Sequence, residues 1–339
     1  MGIVTLSPAR ICLGNGGDTD YYLKEIGWGC IVNASLSSLF FQCEIKDYPE
    51  RAVIYHDLFH ETQEINLVPH LRLDGGKLDL IKATISYLHP NFHGALEITT
   101  NIPKESGLGG SSTLSVAIAH ALLKEKGEPT NPEELARIAY YVERKILQIE
   151  GGYQDQWAAA YGRGLNLMIF KNKRVEVTPL TISRDNLKRL EENSLLVYFP
   201  KKANSGNEIH GDQRKKLEED KETMRGIMIE KRTNTLSIKN ALEKGDFETF
   251  AQLLNKDWEL KQKLSDKLEV RDDIFTTALQ HGAIGGRLCG AGIGGAYYFY
   301  CKEGKKQQVL DAIKEKIHLQ LPFRIQRPDE QGNQYVIRK

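Results

Sequence analysis

A glycine- and serine-rich stretch at residues 106–113 has the composition of a phosphate-binding loop. Three glycines within four positions let the backbone approach a ligand closely and adopt positive φ angles. Serines at the start of a helix can cap it, and the free N–H groups there attract anions. The lysine of a Walker motif is missing, so a nucleotide would be bound by another route. The alternative is a tight turn without a ligand.

The segments on either side of this stretch would position it between a strand and a helix. Residues 95–100 form an extended apolar run, and residues 114–124 have the composition of a helix. A further helix is predicted over residues 132–149, because it begins at an Asn-Pro pair, a good N-cap followed by a first-turn proline. Its apolar side chains recur at helical spacing, and a glycine pair ends it.

Strand-like and helix-like runs alternate along the rest of the chain without a strict period, which predicts an α+β protein in two lobes. The division is expected near residues 180–193, giving domains over 1–190 and 191–339. Residues 207–232 are strongly charged and predict a solvated helix, and residues 285–295 predict a glycine-rich loop. Other strands are predicted at 3–14, 30–36, 38–45, 165–170, 175–177, 194–199, 296–301 and 323–326, and other helices at 77–89, 235–244, 246–262, 271–281 and 304–318.

The bulk properties exclude several classes of protein. The 339 residues suffice for about two domains, and 46 basic and 45 acidic side chains lack the basic excess of a nucleic-acid surface. No apolar run approaches the ~20 residues of a membrane span, and residues 1–10 are too poor in apolar side chains for a secretory signal. The five scattered cysteines form no C-x-x-C pair, so we expect a reduced, cytoplasmic protein without a zinc site.

Three glycine-rich segments stand in a fixed order, at residues 8–20, 106–113 and 285–295. This order resembles the superfamily of galactokinase, homoserine kinase, mevalonate kinase and phosphomevalonate kinase, the GHMP kinases. The resemblance extends over essentially the whole chain. It implies a two-lobed α+β fold, with a ribosomal-S5-like N-terminal lobe that binds nucleotide and a ferredoxin-like C-terminal lobe that closes on it.

Residues 149–162 narrow the resemblance to the D-glycero-D-manno-heptose 7-phosphate kinases. They contain a glycine pair, a Gln-Asp-Gln triplet, small residues and an aromatic-Gly pair. Three departures from that pattern occur: Asp18 stands where Gly is usual, Arg287 where Lys is common, and residues 163–166 replace a shorter Gly-Phe-Asn. The identity of the sugar therefore stays open between this heptose phosphate and the acceptor of another sugar 1-kinase.

The resemblance implies that the loop at residues 106–113 surrounds the phosphates of ATP with backbone N–H groups. It assigns Mg²⁺ to Ser111 and Glu143, a set that suits the preference of this ion for few carboxylates. From the residues alone, Ser111 could equally be a helix N-cap, and Glu143 a solvated residue beside Arg144. The ATP contacts that the resemblance implies are Ser106, Gly107, Leu108, Gly109, Gly110, Ser111 and Ser112.

The resemblance also implies that Asp155 is the catalytic base and that Arg10 is its cationic partner beside the transferred phosphoryl group. Asp155 would accept the proton of the attacking sugar hydroxyl and orient that hydroxyl. From the residues alone, Asp155 could be another N-cap and Arg10 a surface residue at a strand end. The implied substrate contacts are Asp18, Thr19, Asp20, Gly152, Gln154, Gly290 and Gly292.

The resulting hypothesis is a cytoplasmic kinase that uses ATP and Mg²⁺ on a small sugar or sugar phosphate, without a nucleic-acid or membrane partner. Homodimer formation stays open. The favoured reaction converts D-glycero-D-manno-heptose 7-phosphate to the 1,7-bisphosphate at the anomeric hydroxyl. A substrate phosphate needs cations, for which Lys201, Lys202 and Arg163 are candidates, with solvated side chains as the alternative. The rivals are a fucokinase-like sugar 1-kinase and a sugar-sensing protein without turnover.

Overall fold

The computed structural model describes residues 2–16, 19–48, 52–57, 63–66, 71–199, 206–268, 272–290, 292, 295–327 and 334–338. Its strands are β1 (Gly2–Gly14), β2 (Trp28–Lys46), β3 (Ala52–Asp57), β4 (Gln63–Asn66), β5 (Ala95–Thr100), β6 (Leu165–Lys171), β7 (Arg174–Pro179), β8 (Ser194–Phe199), β9 (Ala283–Leu288), β10 (Gly295–Cys301), β11 (Leu319–Leu321) and β12 (Gln334–Arg338). Its helices are α1 (Thr19–Ile26), α2 (Asp79–Leu88), α3 (Gly110–Glu125), α4 (Pro132–Tyr141), α5 (Gln154–Tyr161), α6 (Arg184–Asn193), α7 (Gly206–Glu219), α8 (Lys221–Lys244), α9 (Phe247–Leu264), α10 (Asp272–Gln280) and α11 (Lys306–Ile313).

The first sheet has the strand order β12-β1-β2-β5-β3-β4, with β6 paired to β2 and β7 paired to β6. The long strand β2 organises it, because β6 pairs with its first part and β5 with its last part, while β1 runs along both. The strands predicted at 30–36 and 38–45 are therefore one strand. A register shift in β1 between Pro8 and Ala9 absorbs the irregularity between them.

The second sheet has the antiparallel order β11-β8-β10-β9. Helix α9 packs on β9 and explains Gly285, while the neighbouring strand β10 explains Gly286; the sequence assigned both glycines to a loop. A Cβ on Gly285 would lie 2.5 Å from the carbonyl oxygen of Ala251, and one on Gly286 would lie 2.6 Å from the ring of Phe299. The predicted loop at 285–295 was thus wrong in its first part, where glycine permits close packing of a helix on a strand.

Other local predictions differ from the structure for reasons of packing. The segment 207–232 is not one solvated helix: α7 ends at residue 219, and α8 continues to residue 244 with a buried apolar face that includes Met224 and Met228. The helix predicted over 304–318 is α11 followed by a single 3₁₀ turn. The strand predicted at 323–326 is replaced by β11, a few residues earlier.

The division of the chain at residue 190 stays a prediction. That position lies within α6, just before the second sheet begins at Ser194. A continuous apolar core contains side chains from both sheets, and β12 returns from the end of the chain to pair with β1. Across the residues that the structure describes, no helix has both the length and the apolar character needed to cross a membrane.

Candidate active site

The glycine–serine loop (residues 106–113) connects β5 to α3, as predicted. Its glycines at 107 and 109 have φ angles of 75° and 79°, a left-handed conformation that favours glycine. Gly109 is the N-cap of α3 and makes no side-chain cap hydrogen bond, so Ser111 lies inside the first turn and is not the cap. The N-terminus of this sixteen-residue helix leaves backbone N–H groups directed at the loop.

Arg10 in β1 contacts the glycine–serine loop through two of its nitrogen atoms and Asp155 through the other two. Its backbone N–H donates to the carbonyl oxygen of Leu108 at 3.1 Å, and its Nη1 donates to that of Gly107 at 2.7 Å. Its Nε donates to Oδ1 of Asp155 at 2.9 Å, and Nη2 lies 2.8 Å from the same oxygen. One buried guanidinium therefore links the loop to the carboxylate predicted to be the base, and Arg10 is not a surface residue.

Asp155 is the second residue of α5 and does not cap that helix. Its side chain is 31% exposed, whereas that of Arg10 is 5% exposed. Both guanidinium contacts reach Oδ1, and the described residues place no hydrogen bond on Oδ2. The carboxylate is thus fixed on its buried side and open on the side that faces the cleft.

Glu143 and two serines bring oxygen atoms together beside the glycine–serine loop. Ser111 Oγ donates to Oε1 of Glu143 at 2.7 Å, and Ser112 Oγ lies 3.0 Å and 2.9 Å from its two oxygens. Glu143 is 1% exposed and is not a solvated surface residue. It lies in a π-helical turn, Val142–Ile146, that interrupts the predicted helix; π turns frequently occur at functional sites.

This oxygen set fits a magnesium ion bound together with phosphate. Mg²⁺ prefers one or two carboxylates, with waters and phosphate oxygens as the other ligands. In the described part of the chain, no group of three or more His, Cys, Asp or Glu side chains could hold a metal ion unaided. Exposed Ser111 and buried Ser112 both reach the carboxylate, so either hydroxyl could face the ion with Glu143.

Thr19 connects the N-terminal segment to the segment that carries Asp155. Its buried Oγ1 accepts a hydrogen bond of 2.7 Å from the backbone N–H of Tyr153. Thr19 is the first residue of α1, and Tyr153 immediately precedes α5. Thr19, which was expected to lie in a loop, therefore begins a helix and fixes the start of α5 through this hydrogen bond.

These segments enclose a cleft with a volume of about 120 Å³. Arg10 and Asp155 lie in its wall. The predicted substrate contacts Gly152, Gln154 and Gly290 also line it. The structure thus brings the predicted base, its cationic partner and three predicted substrate contacts to one space.

Other predicted positions are not in that wall. A Cβ on Gly292 would contact Leu268, so this glycine permits packing away from the cleft. Arg163 is exposed and does not line the cleft. Asp20 lies in α1, where only its backbone is described. Three predicted positions lie outside the described residues: Asp18, Lys201 and Lys202.

Sequence reasoning gave no role to Gln156, although it belongs to the Gln-Asp-Gln triplet. Its buried Nε2 donates to Oε2 of Glu143, and Nη1 of Arg144 lies 3.6 Å from that oxygen. Gln156 therefore orients Glu143 from α5, one residue after Asp155. The Gln-Asp-Gln triplet could have indicated this role, because a buried glutamine beside a functional carboxylate needs a hydrogen-bond partner.

Sequence reasoning also missed a buried charged cluster formed by Lys231, Asp257, Lys261 and Arg287. Asp257 accepts hydrogen bonds from Lys231 Nζ at 2.8 Å and from Arg287 Nη1 at 2.6 Å. It also accepts the backbone N–H of Asn15 at 3.0 Å, and Arg287 Nη2 donates to the Asn15 carbonyl oxygen at 3.0 Å. The partners lie between 26 and 272 positions apart in sequence, so no local pattern could indicate them.

The buried charged cluster carries three cationic side chains and one anionic side chain. Burial, followed by the nearby charges of Arg287 and Lys231, lowers the pKa of Lys261 to about 7. Burial alone would raise the pKa of Asp257, but the charges of Lys231 and Arg287 hold it below its ordinary value. Lys261 Nζ also donates to the carbonyl oxygen of Gly290. The cluster therefore places positive charge behind the cleft.

Comparison with known proteins gives consistent matches along the chain. Residues 79–163 match the model of the GHMP kinases N terminal domain, and residues 238–319 match that of the GHMP kinases C terminal. A D-glycero-alpha-D-manno-heptose 7-phosphate kinase from Campylobacter jejuni subsp. jejuni is 32% identical over 93% of this chain and 94% of its own. A galactokinase from Pyrococcus furiosus is 23% identical over 92% of each chain.

A solved structure supports the same relationship. The crystal structure of a D-glycero-D-manno-heptose 1-phosphate kinase from Bacteriodes thetaiotaomicron superposes with a TM-score of 0.76 at 28% identity, covering 99% of each chain. The two heptose kinases are thus named for different positions of the phosphate on the acceptor sugar.

Proposed function

This chain belongs to the GHMP kinases and is a sugar or sugar-phosphate kinase; from that premise, we propose that its acceptor is D-glycero-D-manno-heptose 7-phosphate. The proposed reaction transfers the γ-phosphoryl group of ATP to the anomeric hydroxyl and yields the 1,7-bisphosphate and ADP. The relative of that name at 32% identity supports the choice of acceptor. The two-domain division and a cytoplasmic location remain part of the proposal.

The observation that carries the proposed mechanism is the contact of Arg10 with both Asp155 and the glycine–serine loop. A base must lie within hydrogen-bonding reach of the hydroxyl from which it takes the proton, while the phosphoryl group must lie in line with that hydroxyl. Arg10 fixes Asp155 through Oδ1 and fixes the loop through the Gly107 carbonyl oxygen. One side chain thereby sets the spacing between the base and the phosphate-binding backbone.

In the proposed reaction, Asp155 accepts the proton as the acceptor oxygen forms a bond to the γ-phosphorus and the bond to the ADP oxygen breaks. The proton then passes from Asp155 to solvent. Because a carboxylate is a weak base for an alcohol, most of its contribution would be to orient the hydroxyl. Arg10 would balance the negative charge shared by the carboxylate and the transferred group.

Glu143 and Ser111, with Ser112 as the neighbouring hydroxyl, are the proposed holders of Mg²⁺. The ion supplies neutralisation of the phosphate charges as the phosphoryl group moves. The role of the protein is to keep the carboxylate oriented, and Gln156 and the two serines provide that orientation through hydrogen bonds to both of its oxygens. Backbone N–H groups of the glycine–serine loop would bind the phosphates of ATP.

A substrate panel with the purified protein tests this proposal. It includes the heptose 7-phosphate, the heptose 1-phosphate, the free heptose, fucose and galactose, each with ATP and Mg²⁺. ADP release measures turnover, and phosphorus NMR identifies the position of the new phosphate. We expect the highest kcat/KM with the 7-phosphate and a new phosphate on the anomeric oxygen.

Three results would overturn the proposal. Preference for an unphosphorylated sugar would indicate a different sugar 1-kinase, and exclusive turnover of the 1-phosphate would reverse the assigned position. Failure to release ADP with any acceptor would favour a sugar-sensing protein on the same scaffold.

A further inference from the structure

We propose that Arg144 and Arg287 form the site that holds the phosphate already present on the acceptor sugar. This inference rests on the proposed function, in which the acceptor is phosphorylated. Of the candidates from the sequence, Arg163 is exposed outside the cleft wall, and Lys201 and Lys202 stay predictions because they lie outside the described residues.

Both arginines line the cleft that contains Asp155. Arg287 approaches from β9: a Cβ on Gly16 would lie 3.8 Å from its Nη2 and 3.8 Å from Oε1 of Gln154. Arg144 approaches from the π-helical turn, and a Cβ on Gly151 would lie 2.9 Å from its Nη2. Each guanidinium therefore lies beside a glycine of the cleft wall; a side chain at Gly151 would crowd Arg144, whereas the contact between Gly16 and Arg287 is an ordinary one.

Each guanidinium is held in place by hydrogen bonds, and one of its N–H donors lacks a partner. Asp257 and the Asn15 carbonyl oxygen fix the two terminal nitrogens of Arg287. The carbonyl oxygens of Ile149 and Gly152 accept from Arg144 at 3.3 Å, and the same side chain lies 3.6 Å from Glu143.

In both arginines the donor without a partner is Nε, which is buried and makes no hydrogen bond to any described residue. Arginine carries five N–H donors in a planar fork that matches phosphate oxygens. The side chains are 1% and 11% exposed for Arg287 and Arg144, so both are protected from bulk water.

The charge balance indicates an anion at the same place. The buried charged cluster has one more cation than anions when Lys261 is neutral and two more when it is protonated, and burial of unpaired charge is unfavourable. Lys261 contacts the carbonyl oxygen of Gly290, which lines the cleft. A dianionic phosphate near Arg287 would balance this excess.

The phosphates of ATP are the competing source of that charge. The glycine–serine loop and the N-terminus of α3 already provide an anion site beside Arg10. Arg287 instead lies beside Gly16, and the same glycine lies beside Gln154, a predicted substrate contact. A residue that holds the acceptor phosphate should change KM for the acceptor, whereas one that holds ATP should change KM for ATP.

The experiment compares Arg144→Gln and Arg287→Gln with a matched control, Lys145→Gln, an exposed neighbour outside the cleft wall. The steady-state kinetics of each are measured with the heptose 7-phosphate and with the free heptose at saturating ATP. KM for ATP and competitive inhibition by inorganic phosphate against the acceptor are measured in parallel, and a thermal melt checks folding.

We expect each arginine variant to lose about 10- to 100-fold in kcat/KM for the 7-phosphate, the range for charge-assisted hydrogen bonds. The losses on the free heptose and in KM for ATP should be much smaller than the loss on the 7-phosphate, the control should keep wild-type kinetics, and inhibition by inorganic phosphate should weaken in parallel. An equal loss on both acceptors, or a change confined to KM for ATP, would overturn the inference.

The design separates this inference from the proposed function. If the wild-type enzyme prefers unphosphorylated sugar, the proposed function fails; if it prefers the 7-phosphate and both variants keep that preference, only the phosphate site fails. Should Arg287→Gln not fold, Arg144→Gln decides the question, since Arg144 lies outside the buried charged cluster.

Discussion

Single residues of the site gain their meaning from partners far away in sequence. Arg10 and Asp155 are 145 positions apart, yet two guanidinium nitrogens contact one carboxylate oxygen. Glu143 is 31 and 32 positions from the serines that bind it. The family resemblance indicated these residues, and the structure shows how hydrogen bonds orient them.

Asp155→Asn should lower kcat by at least ~10²-fold, because an amide cannot accept the proton and leaves Arg10 without its counter-charge. The measurement is ADP release at saturating ATP and acceptor. Glu150→Gln is the control, since Glu150 lines the same cleft but pairs with Arg214 and has no assigned role. Turnover of Asp155→Asn close to that of the control would remove Asp155 from the role of base.

At the level of elements, two glycine segments from opposite ends of the chain meet at the site. A Cβ on Gly107 would lie 2.7 Å from the Cys289 carbonyl oxygen, and one on Gly290 would contact the Gly107 backbone at 2.5 Å. Both positions also have positive φ, at 75° and 66°. Composition predicted glycine-rich loops that approach a ligand here, but contact between the two backbones is the stronger reason for glycine.

Gly107→Ala should therefore reduce kcat/KM for ATP by about 10- to 100-fold, since displaced loop atoms misplace the bound phosphates. Gly127→Ala is the control, because its φ is 70° but nothing lies within 4 Å of the added Cβ. In both variants, the left-handed conformation of alanine costs about 1–2 kcal/mol of folding stability. Equal kinetic effects in the two variants would mean that the contact with Cys289 does not matter.

At the scale of the whole molecule, the buried charged cluster joins α8, α9 and β9 to the end of β1. Asp257 and Arg287 bind the N–H and carbonyl groups of Asn15, whose φ of 63° is unusual for a non-glycine residue. The C-terminal half therefore sets the backbone that leads into the predicted substrate segment.

This cluster predicts a pH dependence of stability. Because the pKa of Lys261 is lowered from 10.5 to about 7, the folded state releases a proton that the unfolded state keeps between these values. The buried charge of Lys261 destabilises the folded state, and this destabilisation is lost as pH rises through the window. The free energy of unfolding therefore increases by up to about 1.4 kcal/mol per pH unit. Besides burial, Arg287 and Lys231 lower the pKa of Lys261, whereas Cys12 and Asp257 raise it.

Lys261→Met should flatten the rise in unfolding free energy between pH 7 and pH 10, measured by urea denaturation at each pH. Lys256→Met is the control, because Lys256 lies on the same helix but is 49% exposed and pairs with Glu230. The same slope in wild type and Lys261→Met would show that Lys261 titrates normally.

The sequence by itself determined the family, the α+β class and most of the local elements, and it predicted a phosphate-binding loop at residues 106–113. Periodicity, capping residues and glycine spacing are local properties, so they can be recognised before the chain folds. The continuity of β2 and α8 was hidden, since only packing decides whether neighbouring segments join.

Tertiary structure alone decided which charges meet. Lys231 belonged to a segment that composition marked as solvated, and Arg287 to a supposed loop, yet both are buried on Asp257. Burial makes such pairings strong, because charges removed from water must find partners wherever the fold brings them. For that reason the candidate phosphate site at Arg144 and Arg287 became visible only in three dimensions.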